Sequence, residues 1–121
     1  MKKILVIDDS DEILAICQLI LEDEGFRVCC ISNADCIIDD AKKFLPDLIL
    51  LDVNLGCLHG REIYELFKVV DETKAVPIII MSSNERRIIE KKWHNMPGKF
   101  IEKPFSLDEF TKIVKSQLFT V

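Results

Sequence analysis

The chain has 121 residues, 49% of them hydrophobic and 31% charged, which is the size and composition of one folded domain and not of a disordered tail. Its formal net charge of −5 argues against a nucleic-acid phosphate backbone as the main partner. The basic residues Arg86-Arg87 and Lys91-Lys92 read as a solvated helix face.

The first element is the apolar run Ile4-Leu5-Val6-Ile7, which stops at Asp8-Asp9. Continuous runs of this kind, rich in Ile and Val, predict strands buried on both faces, as in a parallel sheet. Ser10 to Glu24 repeats apolar residues at Ile13, Ile16, Cys17, Ile20 and Leu21 with helical spacing and stops at Gly25, a natural helix C-cap. Phe26 to Ile31 reads as a second strand, ending at Ser32-Asn33, and Asn33 is placed to cap a helix running to about Phe44. Pro46-Asp47 turns the chain into the strand Leu48-Ile49-Leu50-Leu51, closed by Asp52.

Gly60 to Val70 predicts a third helix with Ile63, Leu66, Phe67 and Val70 on one side. Pro77 opens the strand Ile78-Ile79-Ile80-Met81, which ends in Ser82-Ser83. A fourth helix is expected from Asn84 to about His94, with Ile88, Ile89 and Trp93 toward the core and Met96-Pro97-Gly98 breaking it. Phe100-Ile101 forms a short fifth strand leading to Glu102 and Lys103-Pro104, and Ser106 caps a last helix carrying Leu107, Phe110, Ile113, Val114 and Leu118. Five strands alternating with five helices predict an α/β domain over residues 1–121, a βα repeat with a parallel sheet and right-handed crossovers.

Five cysteines, Cys17, Cys29, Cys30, Cys36 and Cys57, make an odd count without a CxxC spacing, so neither a disulfide framework nor a zinc site follows. They read as small buried apolar residues in a reducing compartment. The run after Met1-Lys2-Lys3 breaks at Asp8, and no stretch approaches the ~20 apolar residues of a membrane span. The expected location is the cytoplasm.

Ligands of an open parallel sheet bind outside the carboxyl ends of its strands, where the strand order reverses. Asp8, Asp9, Asp52, Ser82 and Lys103 all lie at such ends, on four of the five predicted strands. Like charges about 4 Å apart repel by roughly 4 kcal/mol at an effective dielectric near 20, so three carboxylates together call for a cation. Oxygen ligands with room for water favour Mg²⁺ over zinc. A carboxylate beside a divalent ion and a lysine is a competent nucleophile toward phosphorus, giving an aspartyl phosphate.

This ordered set resembles the receiver domain of two-component response regulators. The resemblance rests on Asp8-Asp9, on Asp52-Val53-Asn54 with Gly60 eight residues after Asp52, on Ser82, and on Lys103-Pro104-Phe105, and it runs over the whole chain. It implies a CheY-like, flavodoxin-like sheet of strand order 2-1-3-4-5 flanked by five helices. It implies a phosphorylation-controlled signalling switch and not an enzyme turning over a separate substrate. Asp52 would then accept a phosphoryl group from a histidine kinase or a histidine phosphotransfer protein. By the same resemblance Asp9, Asp52 and the main-chain carbonyl of Asn54 bind Mg²⁺, Asp8 helps through water, and Lys103 pairs with the phosphoryl group. The Lys103–Pro104 peptide is expected to be cis, and Ser82 with Phe100 would form the switch. Phe100 lacks the hydroxyl of the tyrosine often found there.

Some positions depart from the family pattern. In the stretch Asn54-Leu55-Gly56-Cys57-Leu58-His59-Gly60, glycine stands where proline is usual, so a loop more mobile before phosphorylation is expected, and His59, where aspartate or serine is usual, reads as a solvent-exposed loop histidine in preference to a pH-sensitive group at the site. Ser83 replaces the common alanine. The apolar arc of the first helix, with Leu14 included, spans about 160° at ~100° per residue, and its flanks, Leu14 or Ile16, are candidates for docking on a kinase helix bundle. Output would pass through a downstream protein, from a monomer or a phosphorylation-linked homodimer, whether the chain stands alone or belongs to a longer regulator. Two other readings remain: a phosphohydrolase of the haloacid dehalogenase type, whose DxDx(T/V) pattern Asp9-Ser10-Asp11-Glu12-Ile13 does not complete, and a receiver-like module that binds partners without phosphorylation.

Overall fold

The computed structural model describes residues 1–32, 36–52, 54–55, 58–82, 99–103 and 105–119. Five parallel strands, β1 (Lys3–Ile7), β2 (Arg27–Ile31), β3 (Leu48–Asp52), β4 (Ile78–Ser82) and β5 (Lys99–Glu102), form one sheet in the order β2-β1-β3-β4-β5. This is the strand order that the family resemblance implies. Around the sheet run α1 (Asp11–Asp23), α2 (Ile37–Phe44), α3 (Gly60–Val69) and α4 (Leu107–Leu118). The helix expected at 84–94 lies outside the described residues, as do Ser83 and Trp93.

Each central strand alternates between two cores. Leu5 and Ile7, Ile49 and Leu51, and Ile78 and Ile80 pack with Ile37 and Ala41 of α2 and with Ile63, Tyr64 and Phe67 of α3. Ile4 and Val6, Leu48 and Leu50, and Ile79 and Met81 pack on the other face with Leu14, Cys17 and Leu21 of α1 and with Phe110 and Val114 of α4. Burial on both faces is why these strands are apolar without a break.

Helix ends follow local chemistry. Ser10 caps α1 by accepting the Ile13 N–H, and Ser106 caps α4 by accepting the Glu109 N–H. At the end of α1, Gly25 takes φ +91°, its N–H donates to the Glu22 carbonyl, and the Phe26 N–H donates to the Leu21 carbonyl. That pair of bonds is a Schellman turn, closed by the buried side chains of Leu21 and Phe26. The helix α2 begins at Ile37 with Cys36 at its N-cap and ends at Phe44, as expected; the expected cap Asn33 lies outside the described residues.

The packing also corrects several side chains. Leu14 is buried, whereas Ile16 is 47% exposed, because Ile16 sits roughly 130° from the centre of the Leu14/Cys17/Leu21 stripe at ~100° per residue. On α3 the buried stripe is Ile63, Tyr64 and Phe67, which turns Leu66 roughly 110° away to solvent and buries a tyrosine instead. Leu107, the first residue of α4, is likewise exposed, one turn before the fully buried Phe110. Between β3 and α3, residues 54–55 pair antiparallel with 58–59 in the register Asn54↔His59, Leu55↔Leu58. Part of the stretch expected to be a loop is therefore a small antiparallel ladder, with Gly56 and Cys57 outside the described residues. Among the described residues, no helix is long and apolar enough to cross a membrane.

Candidate functional site

Strand β1 ends at Ile7 and β3 at Asp52, with Ile7 registered against Leu51, so the parallel pairing brings Asp8 and Asp52 to the same edge of the sheet. The two strands are neighbours in the sheet, while β2 lies outside β1 and β4 beyond β3. This is the place where the strand order reverses and the carboxyl ends open a crevice. Asp8, Asp9 and Asp52 each offer a carboxylate oxygen there, all within 4.8 Å of one another. Asp8 and Asp52 are buried; Asp9 is exposed.

Lys103 reaches this cluster from the end of β5. Its Nζ donates to Asp8 Oδ2 at 2.6 Å and lies 3.5 Å from Asp52 Oδ1. Its own N–H donates to the Ser82 carbonyl at 2.7 Å, which ties the base of the lysine to the end of β4. Asp8 Oδ1 accepts the Ser10 N–H at 2.9 Å, so the residue that caps α1 also orients the carboxylate. The sequence-predicted residues Asp8, Asp9, Asp52 and Lys103 thus come together as one cluster.

Ser82 is fully buried at the end of β4, and alternation places it in phase with Ile78 and Ile80. Phe100, registered opposite Ile80, is half-buried against the same α2/α3 core cluster. The two expected switch residues therefore belong to one face of neighbouring strands. The Asn54 backbone sits in the two-residue ladder just after Asp52. Pro104 lies outside the described residues, and so does the expected cis peptide.

One support was not anticipated from the sequence. Phe105, two residues past Lys103, stacks on Phe110 of α4 with ring centroids 4.7 Å apart and planes at 16°. The spacing of one aromatic in the loop and one at the fourth helical position is the only trace of this in the sequence. Of the cysteines expected to be buried, Cys17 is, on the α1/α4 side of the sheet, where burial, and secondarily the charge of Asp8, pushes its thiol up to about 12; Cys29 and Cys30 are half-buried and Cys36 is exposed. The Cys30 thiol is pushed up to about 11, chiefly by burial.

The donor set suits a hard divalent cation: carboxylate oxygens, one of them solvent-facing, with no thiolate or imidazole among the clustered side chains. Chemically, the arrangement presents a buried carboxylate, Asp52, flanked by an ammonium and two further acids.

A model of the response regulator receiver domain matches residues 4–115. Among curated proteins, the chain is 32% identical to sporulation initiation phosphotransferase F of Bacillus subtilis, over 97% of this chain and 94% of that protein. It is 29% identical to the transcriptional regulatory protein YxdJ of the same species, covering 98% of this chain but only 51% of that relative's length. Among solved structures, the chemotaxis protein CheY4 of Vibrio cholerae superimposes with a TM-score of 0.89 at 24% identity, over 98% of this chain and 99% of that one. The receiver domain of a sensor histidine kinase from Pseudomonas aeruginosa, solved with a magnesium ion coordinated in its active site cleft, gives 0.86 at 21% identity, over 97% of each chain. The structural likenesses establish the fold, and the matched sequence establishes the lineage: the chain belongs to the response regulator receiver domain family.

Proposed function

We propose that this receiver domain is a phosphorylation-controlled switch whose acceptor is Asp52, phosphorylated by a histidine kinase or a histidine phosphotransfer protein. The observation that carries this reading is the convergence of Asp8, Asp9, Asp52 and Lys103 at one edge of the sheet. A carboxylate oxygen of Asp52 attacks phosphorus as the P–N bond to the donor's imidazole breaks. The bonding pair leaves with that nitrogen, which takes up a proton.

Asp9, Asp52 and the main-chain carbonyl of Asn54 are the groups that would hold Mg²⁺, with Asp8 contributing through water. The ion would neutralise charge on the transferring phosphoryl oxygens. Lys103, already 3.5 Å from Asp52 Oδ1, is in reach of the phosphoryl group that Asp52 would carry. Ser82 would donate its hydroxyl to a phosphoryl oxygen, and Phe100, on the same face, would relay the change to the surface. The output is then a change of binding surface read by a downstream protein.

Incubation with Mg²⁺ and acetyl phosphate, followed by intact-mass measurement, tests the reading. A single phosphoryl adduct on the wild type, absent in Asp52→Asn and absent when the metal is chelated, is the expected result. No adduct on the wild type overturns it, and steady turnover of a phosphate ester would point to a phosphohydrolase instead.

A further inference from the structure

The three carboxylates of the cluster are not electrically equivalent. Asp8 is engaged at both oxygens, Oδ1 by the Ser10 N–H and Oδ2 by the Lys103 ammonium at 2.6 Å, the short end of charge-assisted bonds. Its side chain has no exposure and that of Lys103 only 15%, so water screens the pair little. The same ammonium stands 3.5 Å from Asp52 Oδ1, a looser contact, and Asp9 faces solvent.

Asp8 and Lys103 therefore form a nearly neutral unit, and an entering cation meets the charge of Asp9 and Asp52, with a resident ammonium beside it. We propose that Lys103 is the internal counterion of the acidic cluster and that, through its pairing with Asp8, it sets the affinity for Mg²⁺. The inference rests on reading the cluster as a Mg²⁺ site. Without the ammonium, buried Asp8 is an uncompensated charge that destabilises the metal-free fold and attracts a divalent ion more strongly. With it, the site keeps its shape before any metal arrives, and Mg²⁺ binds against a standing repulsion.

The test is a cycle of Asp8→Asn, Lys103→Met and the double variant in the full chain. MgCl₂ affinity is read by calorimetry, and thermal melting is read in EDTA. Lys103→Met is expected to tighten Mg²⁺ binding roughly tenfold or more, the scale of a unit charge acting on a divalent ion across ~5 Å of high-dielectric surroundings. Asp8→Asn is expected to weaken it comparably, because the ammonium is then unpaired, and the double variant is expected to return to near the wild-type value. In EDTA, Lys103→Met melts lower than wild type, and adding Asp8→Asn restores most of the loss.

An unchanged Kd in Lys103→Met overturns the proposal, and so does a double variant as weak as Asp8→Asn, since the loss would then come from Asp8's own water-mediated hold on the ion and not from the freed ammonium. If Lys103→Met does not fold without metal, Lys103→Gln supplies the same cycle. A wild type that binds no Mg²⁺ sinks the metal reading itself, and the melting cycle in EDTA then decides the counterion role separately.

Discussion

Replacing Phe110 by alanine is expected to be among the most damaging changes this fold can suffer, and its size can be worked from the packing. Phe110 is fully buried in the α1/α4 core, in the same cluster as Leu21, Met81 and Val114, and stacks on Phe105 at 4.7 Å. Truncating a buried Phe to Ala costs about 3–5 kcal/mol in lost transfer energy and residual cavity. The broken ring stack, worth about 0.5–1.5 kcal/mol, places this site toward the upper end. Against a total stability of about 5–15 kcal/mol, much of the folded population is at stake. For a domain of this size the melting temperature is expected to fall by about 10–20 °C. Phe110→Leu keeps most of the volume and is expected to lose only about 1–1.5 kcal/mol. Urea titration measures both, and the slope should stay constant while the midpoint moves. A loss below about 1 kcal/mol for Phe110→Ala, or equal losses for the two variants, would refute the packing argument. Because Phe105 lies two residues from Lys103, phosphorylation by acetyl phosphate is expected to slow in Phe105→Ala even where the fold survives.

Two left-handed positions give opposite expectations. Gly25→Ala is expected to cost about 1 kcal/mol by urea melts: φ is +91° there, and an added methyl would enter open space, so the backbone is the sole source of strain. Leu45 adopts φ 53° as the C-cap of α2 and is 53% exposed, so Leu45→Asn is expected to be neutral or to stabilise by a few tenths of a kcal/mol. The buried thiols predict a pH effect. Folding raises Cys17 from 9.0 to about 12, so the folded state holds its proton longer than the unfolded chain. The contribution is intact below pH 9 and stability falls as pH rises from there toward 12, a slope that Cys17→Ala should flatten. At pH 8 iodoacetamide is expected to label exposed Cys36 well before Cys17 or Cys30.

The local pattern of the chain was enough for the α/β class and for most element positions. Unbroken apolar runs such as Leu48–Leu51 have one stable environment, a strand covered on both faces, and the polar residues that end them must then gather at one edge. Asp8, Asp52, Ser82 and Lys103 were legible for that reason, as was the Schellman end at Gly25, whose chemistry lies within a few residues. Tertiary packing alone decided what depends on long-range geometry. Whether Ile16 or Leu14 is covered is set by the line along which α1 meets the sheet, and an arc of helical residues does not specify that line. Likewise, only the register of β1 against β3 and the reach of Lys103 from β5 determined that the ammonium pairs at 2.6 Å with Asp8 and more loosely with Asp52. Charge pairing over 95 residues of chain is a product of the fold, and here it is what gives three similar aspartates different electrostatic surroundings.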